Sequence, residues 1–135
     1  MTTAVDSSVL LDVFKDDPEH RATSLRALKE ARDRGRMVIS PIAWAELRAF
    51  FHDEAELASA LDRAGIEFDP IDRTSANLAG ALWREYRREG GTRERMLPDF
   101  LIAAHAKARA DRLLTRDRGF HRRYFGGLVV VEPAP

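Results

Sequence analysis

Four acids, Asp6, Glu46, Asp99 and Asp117, lie far apart in the chain, yet each falls where an apolar strand stops or on a helix beside such a stop. They can act together only if the fold gathers them, and an open α/β sheet gathers whatever stands at the carboxyl ends of its strands. Gathered carboxylates repel one another unless a cation lies among them, so the pattern suggests a divalent-metal site. The chain has no Cys, and His20, His52, His105 and His121 show no His-Glu-x-x-His spacing. Each histidine reads as a surface or packed residue. Oxygen is then the plentiful ligand type, which suits Mg²⁺ or Mn²⁺ and not zinc.

Each acid also has an ordinary reading. Asp6 precedes a helix and could cap it. Glu46 could be a surface residue, but Ala43, Trp44, Ala45 and Leu47 around it are apolar, and a buried carboxylate wants a cation or a partner. Asp99 follows Pro98 in a first helical turn, where acids complement the helix dipole. Asp117 comes two residues after Thr115, where a turn-forming Asp is common. The four signals gain force because all map to one edge of the same inferred sheet.

The elements that would position them alternate. Residues 2–5 read as a short strand, Ser7 or Ser8 can cap the helix that follows, and Asp6 stands at the junction. A helix over 19–34 ends at Gly35. Met37-Val38-Ile39 has the compact apolar character of a buried parallel strand. Ser40-Pro41 pairs an N-cap with proline at the first helical position and opens a helix over 42–51 that carries Glu46. A helix over 54–64 leads through Gly65 to a strand over 66–68. The next helix, 75–88, has an apolar stripe of Leu78, Ala79, Leu82, Trp83 and Tyr86, and Gly90-Gly91 breaks it. Pro98 opens a helix over 99–110, followed by a strand over 112–115, a short helical or turn segment over 117–124, and a last strand over 128–131. This alternation predicts a three-layer α/β/α fold around a central parallel sheet of four to five strands.

A chain of 135 residues with 44% hydrophobic and 33% charged side chains is expected to form a single domain, 1–135, with a real core. Its formal charge is zero, so global charge does not point to nucleic acid or membrane. The distribution says more: residues 84–123 hold 12 basic and 6 acidic side chains, a local excess of 6. Five Arg between Arg84 and Arg95 either grip a phosphate backbone or belong to a solvated loop balanced by Glu85, Glu89 and Glu94. Of that region, Arg87, Arg88, Arg93, Arg95 and Arg116 are the candidate RNA contacts. No GxGxxG or GxxxxGK motif occurs, which argues against nucleotide-cofactor chemistry. The N-terminus lacks a signal-peptide pattern and no stretch reaches membrane-spanning length, so a cytoplasmic location with no membrane contact is expected.

The blocks that carry the acids are similar to those of a known family. Ala4-Val5-Asp6-Ser7-Ser8-Val9-Leu10-Leu11 resembles the opening motif of PIN-domain nucleases, specifically the VapC toxins of bacterial toxin–antitoxin pairs. Ser40 to Leu47, Leu97 to Ala106 and Leu113 to Phe120 resemble the second, third and fourth blocks, in order and across essentially the whole chain. The resemblance implies that Asp6, Glu46, Asp99 and Asp117 hold one or two Mg²⁺ or Mn²⁺ ions, with Asp6 and Asp99 as core ligands, Glu46 next, and Asp117 serving the second metal. Ser7 and Thr115 match the family's small hydroxyl positions. Many members carry another acid near the third block, where this chain has Met96, Leu97 and Phe100, which implies weaker binding of a second ion. The resemblance also implies a homodimer and a small VapB-like antitoxin whose C-terminal arm blocks the site.

The expected function is that of a toxin: a metal-dependent endoribonuclease that hydrolyses RNA by metal-activated water and leaves 5′-phosphate and 3′-hydroxyl ends. Two rival functions fit the residues less well. A phosphoryl-transfer enzyme with an Asp nucleophile after the first strand would need a second Asp two residues on, and residue 8 is Ser. A catalytically silent PIN-like module that binds RNA or protein would not need all four acids, and all four are present.

Overall fold

The computed structural model describes residues 1–91, 96–117 and 121–134, the Arg122 side chain excepted. Five strands, β1 (Thr2–Val5), β2 (Arg36–Ile39), β3 (Ile66–Phe68), β4 (Arg112–Leu114) and β5 (Val129–Val131), form one sheet in the order β3-β2-β1-β4-β5. Every neighbouring pair is parallel. Strands buried on both faces must be apolar throughout, and the runs Ala4-Val5, Met37-Val38-Ile39 and Leu113-Leu114 are accordingly buried. The edge strands β3 and β5 are more open.

Among the described residues seven helices flank the sheet in the expected three-layer arrangement: α1 (Ser7–Phe14), α2 (Arg21–Arg34), α3 (Pro41–Arg48), α4 (Glu54–Ala64), α5 (Arg73–Arg88), α6 (Leu97–Arg109) and α7 (His121–Tyr124). The chain steps outward from β1 to β2 to β3, then returns to lay β4 on the other side of β1. The strand order therefore reverses between β1 and β4, where connections diverge to opposite sides and leave a crevice at the carboxyl ends. The ladder continues past the strands at that edge: Asp6 N–H donates to the Leu114 carbonyl at 2.9 Å and Thr115 N–H to that of Val131 at 3.0 Å.

The helix starts follow side-chain chemistry. Ser40 Oγ accepts from Ala43 N–H at 3.2 Å ahead of Pro41, Asp53 caps α4, and Asp72 accepts from Ser75 N–H at 2.8 Å, which starts α5 two residues earlier than periodicity predicts. Gly65 ends α4 with φ 76°, a left-handed conformation that favours glycine. Helix α3 stops at Arg48 instead of continuing to residue 51, because the next amide groups turn tightly onto the Leu47 and Arg48 carbonyls. The expected Ser7 or Ser8 cap is corrected. Asp6 itself is the extended N-cap residue of α1, its side chain makes no capping bond, and both serine hydroxyls point to carboxylates.

Two apolar clusters hold the layers. The larger joins the sheet to α1–α4; the smaller centres on Phe100 of α6, packed among Ala79, Ala103, Ala104 and Phe125 with Tyr86 and Tyr124 around it. With Phe100, Ala103 and Ala104 in one cluster and Ile102 and Ala106 in the other, α6 is locked in rotation.

A polar lock ties the end of β3 to α6. Asp69 accepts from Arg109 through Nε at 2.7 Å and Nη2 at 3.1 Å, and from the buried His105 through Nε2 at 2.8 Å. A carboxylate can only accept, so Nε2 carries the proton. The Arg109 hydrogen bonds, reinforced by His105 and opposed by burial, hold the Asp69 carboxyl below its ordinary value of 3.8. A group whose folded pKa is depressed stabilises the fold above its unfolded value and loses that contribution as pH falls through the folded one. Asp69→Asn is therefore expected to cost about 1–3 kcal/mol at pH 7, with the deficit shrinking below about pH 3.8. Chemical denaturation of both proteins across that range measures it, and an equal deficit at all pH values would contradict it.

Candidate active site

Asp6, Glu46, Asp99 and Asp117 line one open cleft of about 400 Å³ at the reversal point of the strand order. They arrive from the end of β1, the middle of α3, the first turn of α6 and the turn after β4. Asp6, Asp99 and Asp117 also bound a small recess of about 20 Å³ in the same region, together with His121. The fold thus brings together all four acids singled out in the sequence.

Neighbouring hydroxyls fix two of them. Asp6 Oδ2 accepts from Thr115 Oγ1 at 2.7 Å and from Ser8 Oγ at 3.0 Å, which sets the carboxylate across the β1–β4 seam. Ser7 Oγ donates to Glu46 Oε1 at 3.0 Å and lies 3.5 Å from Asp6 Oδ1. Glu46 keeps a face open to the cleft. Even so, shielding from water, and then the negative charges of Asp6 and Asp99, push its carboxyl above the usual range against the lowering effect of Ser7.

The ordinary readings hold in part. Asp99 does act at its helix terminus, with Oδ2 accepting from Met96 N–H at 3.0 Å, while still lining the cleft. Asp117 N–H donates to Thr115 Oγ1 at 3.0 Å in a local turn. Asp6 is not a side-chain cap.

The rest of the lining was only partly legible in the sequence. It contains Asp12 of α1, Lys15 and Asp17 just after that helix, and Arg116, so charges of both signs line the cleft. Asp12 had one available signal, a charge inside the apolar run Leu10-Leu11-Asp12-Val13-Phe14, which demands a partner. His121 is a packed histidine, within the sequence reading, and it also bounds the recess beside three of the acids. Nothing in its sequence surroundings signals that position. Among the described candidate arginines only Arg116 lines the cleft; Arg87 lies over the Trp83 ring at 4.8 Å and, like Arg88, is exposed on the last turn of α5. Arg93 and Arg95 lie outside the described residues.

The cleft offers oxygen donors of negative charge, the set a hard divalent cation prefers, and shielding from water, with a smaller contribution from Asp6 and Asp99, pushes Glu46 upward in a way that such an ion would relieve. The donor chemistry fits. As they stand, no three His, Asp or Glu side chains among the described residues converge closely enough to hold an ion.

Comparison with known proteins gives one family and several folds. The family model described as the PIN domain matches residues 3–126. The structure superposes on VapBC2 from Rickettsia felis bound to a promoter DNA fragment with TM-score 0.75, at 21% identity over 98% of each chain. A toxin–antitoxin complex from Klebsiella pneumoniae aligns with TM-score 0.71 at 26% identity, again over 98% of each chain. The VapC20 toxin of Mycobacterium tuberculosis, described as cleaving the sarcin–ricin loop, aligns with TM-score 0.59 at 18% identity over 94% of this chain and 98% of that one. The likenesses at 21% and 18% speak for the fold alone. No curated protein matches the sequence.

Removing one charge from the crowded floor should stabilise the protein when no cation is present. Glu46→Gln keeps an acceptor for Ser7 and is expected to raise the thermal midpoint by about 1–3 °C, water in the open cleft keeping the gain small. Added Mg²⁺ should reverse the order of the two proteins, which calorimetry with and without the ion would check; a lowered midpoint in EDTA would contradict the repulsion argument.

Proposed function

The chain belongs to the PIN domain family, and we propose that it is a divalent-metal-dependent endoribonuclease of the VapC type, the toxin of a type II toxin–antitoxin pair. The observation that carries this reading is the meeting of Asp6, Glu46, Asp99 and Asp117, from four separate elements, at the strand-order reversal. The likeness to toxins from antitoxin complexes, and to one described as cleaving an RNA loop, supports RNA as substrate and a small VapB-like antitoxin as partner. Residues 1–135 are read as one PIN domain, acting as a homodimer in the cytoplasm. Among the described residues no helix is long and apolar enough to cross a membrane.

In this reading Asp6, Glu46, Asp99 and Asp117 hold Mg²⁺, for which Mn²⁺ can substitute. When bound, the ion lowers the pKa of a nearby water and stabilises the charge that develops on the phosphate. The chain's own residues do the rest. Thr115 and Ser8 orient Asp6, and Ser7 orients Glu46, so the floor is held by neighbours instead of by the substrate. Arg116 in the cleft lining presents a guanidinium suited to phosphate oxygens. Arg87 and Arg88, with Arg93 and Arg95 as further candidates, contact the RNA backbone without reading its sequence. The scissile P–O3′ bond opens to leave a 5′-phosphate and a 3′-hydroxyl.

Purified protein free of antitoxin, incubated with structured RNAs in Mg²⁺, Mn²⁺ or EDTA, tests the reading. Cleavage is expected with either ion, none is expected in EDTA, and Asp6→Asn and Asp99→Asn should each lose about 100-fold or more in rate, equivalent to about 2.7 kcal/mol of barrier. Cleavage that survives EDTA or both substitutions would sink it. RNA binding without cleavage, in protein shown separately to bind metal, would favour the catalytically silent PIN-like module.

A further inference from the structure

We infer that Asp12 is a positioning residue that holds the Arg116 guanidinium on the rim of the cleft, where it takes a phosphate oxygen of the substrate. The inference rests on the nuclease reading for the phosphodiester ligand, and it assigns a role to an acid outside the four on the floor.

The Asp12 side chain is 3% exposed, and a carboxylate so placed needs strong partners. It has two, from different parts of the chain. Ser24 Oγ of α2 donates to Asp12 Oδ2 at 2.6 Å, and Arg116 Nε lies 2.7 Å from the same oxygen. Arg116 is held at its other end too, since its backbone N–H donates to Ser8 Oγ at 3.3 Å and Ser8 Oγ donates to Asp6 at 3.0 Å. The arginine is thus held to α1 by a main-chain hydrogen bond to Ser8 and a side-chain ion pair with Asp12, with 36% of its side chain exposed.

The clamp matters because of what lies beside it. Arg116 stands between Thr115 and Asp117, next to a floor of four acids. An unanchored arginine there would fold onto Asp6 or Asp117 and occupy the place of a cation. Asp12 wins the guanidinium because its carboxylate is desolvated and already oriented by Ser24. Arg116 therefore stays in the cleft lining beside the acids without collapsing onto them, and its ordering cost is met before substrate arrives.

The sign of one substitution separates this role from bulk electrostatics. Deleting a negative charge beside the cleft should, by charge alone, tighten binding of a polyanion. If Asp12 works through Arg116, Asp12→Asn should weaken it. The measurement is anisotropy of a short single-stranded RNA on Asp6→Asn protein, which binds without cleaving, with Asp12→Asn, Arg116→Ala and both added. Each single change is expected to weaken binding about five- to tenfold, the double change no further, and Arg116→Ala should lower the salt slope by about one. Unchanged or tighter binding with Asp12→Asn overturns the inference, and so does an Asp12→Asn effect that persists in the Arg116→Ala background. Asn retains an oxygen for Ser24, and thermal melts check folding. Should Asp12→Asn not fold, Ser24→Ala takes its place in the same cycle, with the same outcomes deciding. The nuclease reading is judged separately, by cleavage with Asp6 intact: a failed cycle beside intact cleavage removes only the role of Asp12.

Discussion

The hydrogen bond from Asp6 N–H to the Leu114 carbonyl is the contact on which the site depends. It extends the β1–β4 ladder past the end of β1 and joins segments more than a hundred residues apart. Because the strand order reverses at that seam, helices leave it in opposite directions and a crevice opens. Asp6 stands on one side of the seam, Thr115 and Asp117 on the other. The Thr115 hydroxyl then closes onto Asp6 at 2.7 Å, so the same junction that completes the sheet orients a carboxylate.

Around that seam the cleft gathers charges of both signs. Shielding from water, with smaller contributions from Asp6 and Asp99, pushes the Glu46 carboxyl upward. Hydroxyls from Ser7, Ser8 and Thr115 donate to Glu46 and Asp6 without neutralising them. Arg116 in the same lining pairs with the buried Asp12. Acids that call for a cation and an arginine that offers one to a phosphate are complementary to the two halves of the proposed reaction, and hydroxyls and an ion pair orient both in advance.

Elements whose local signals agreed were legible along the chain. The apolar run Met37-Val38-Ile39, the Ser40-Pro41 start and the 54–64 helix before Gly65 stand where pattern and capping chemistry place them. Boundaries moved where tertiary or competing bonds decided: Asp72 started α5 early, and Ser7 and Ser8 gave their hydroxyls to Glu46 and Asp6 instead of capping α1. Within the site, the four acids were visible because strand ends are visible. His121 was not, because it looks like any residue of its helix until the fold supplies its neighbours, and Asp12 showed only that a charge in an apolar run needs a partner, not which one. Arg87 and Arg88 stand exposed at the end of α5, outside the lining of the cleft.

The sequence by itself determined the alternation of strands and helices, the oxygen-only character of the donor set, and the four acids, all properties of local pattern and residue type. Only the tertiary structure decided the strand order, and with it which charges line the cleft together. Register between strands, burial of Asp12 and the pairing of Arg116 depend on contacts between distant segments. Such contacts exist only once the chain has closed on itself, so no local pattern encodes them.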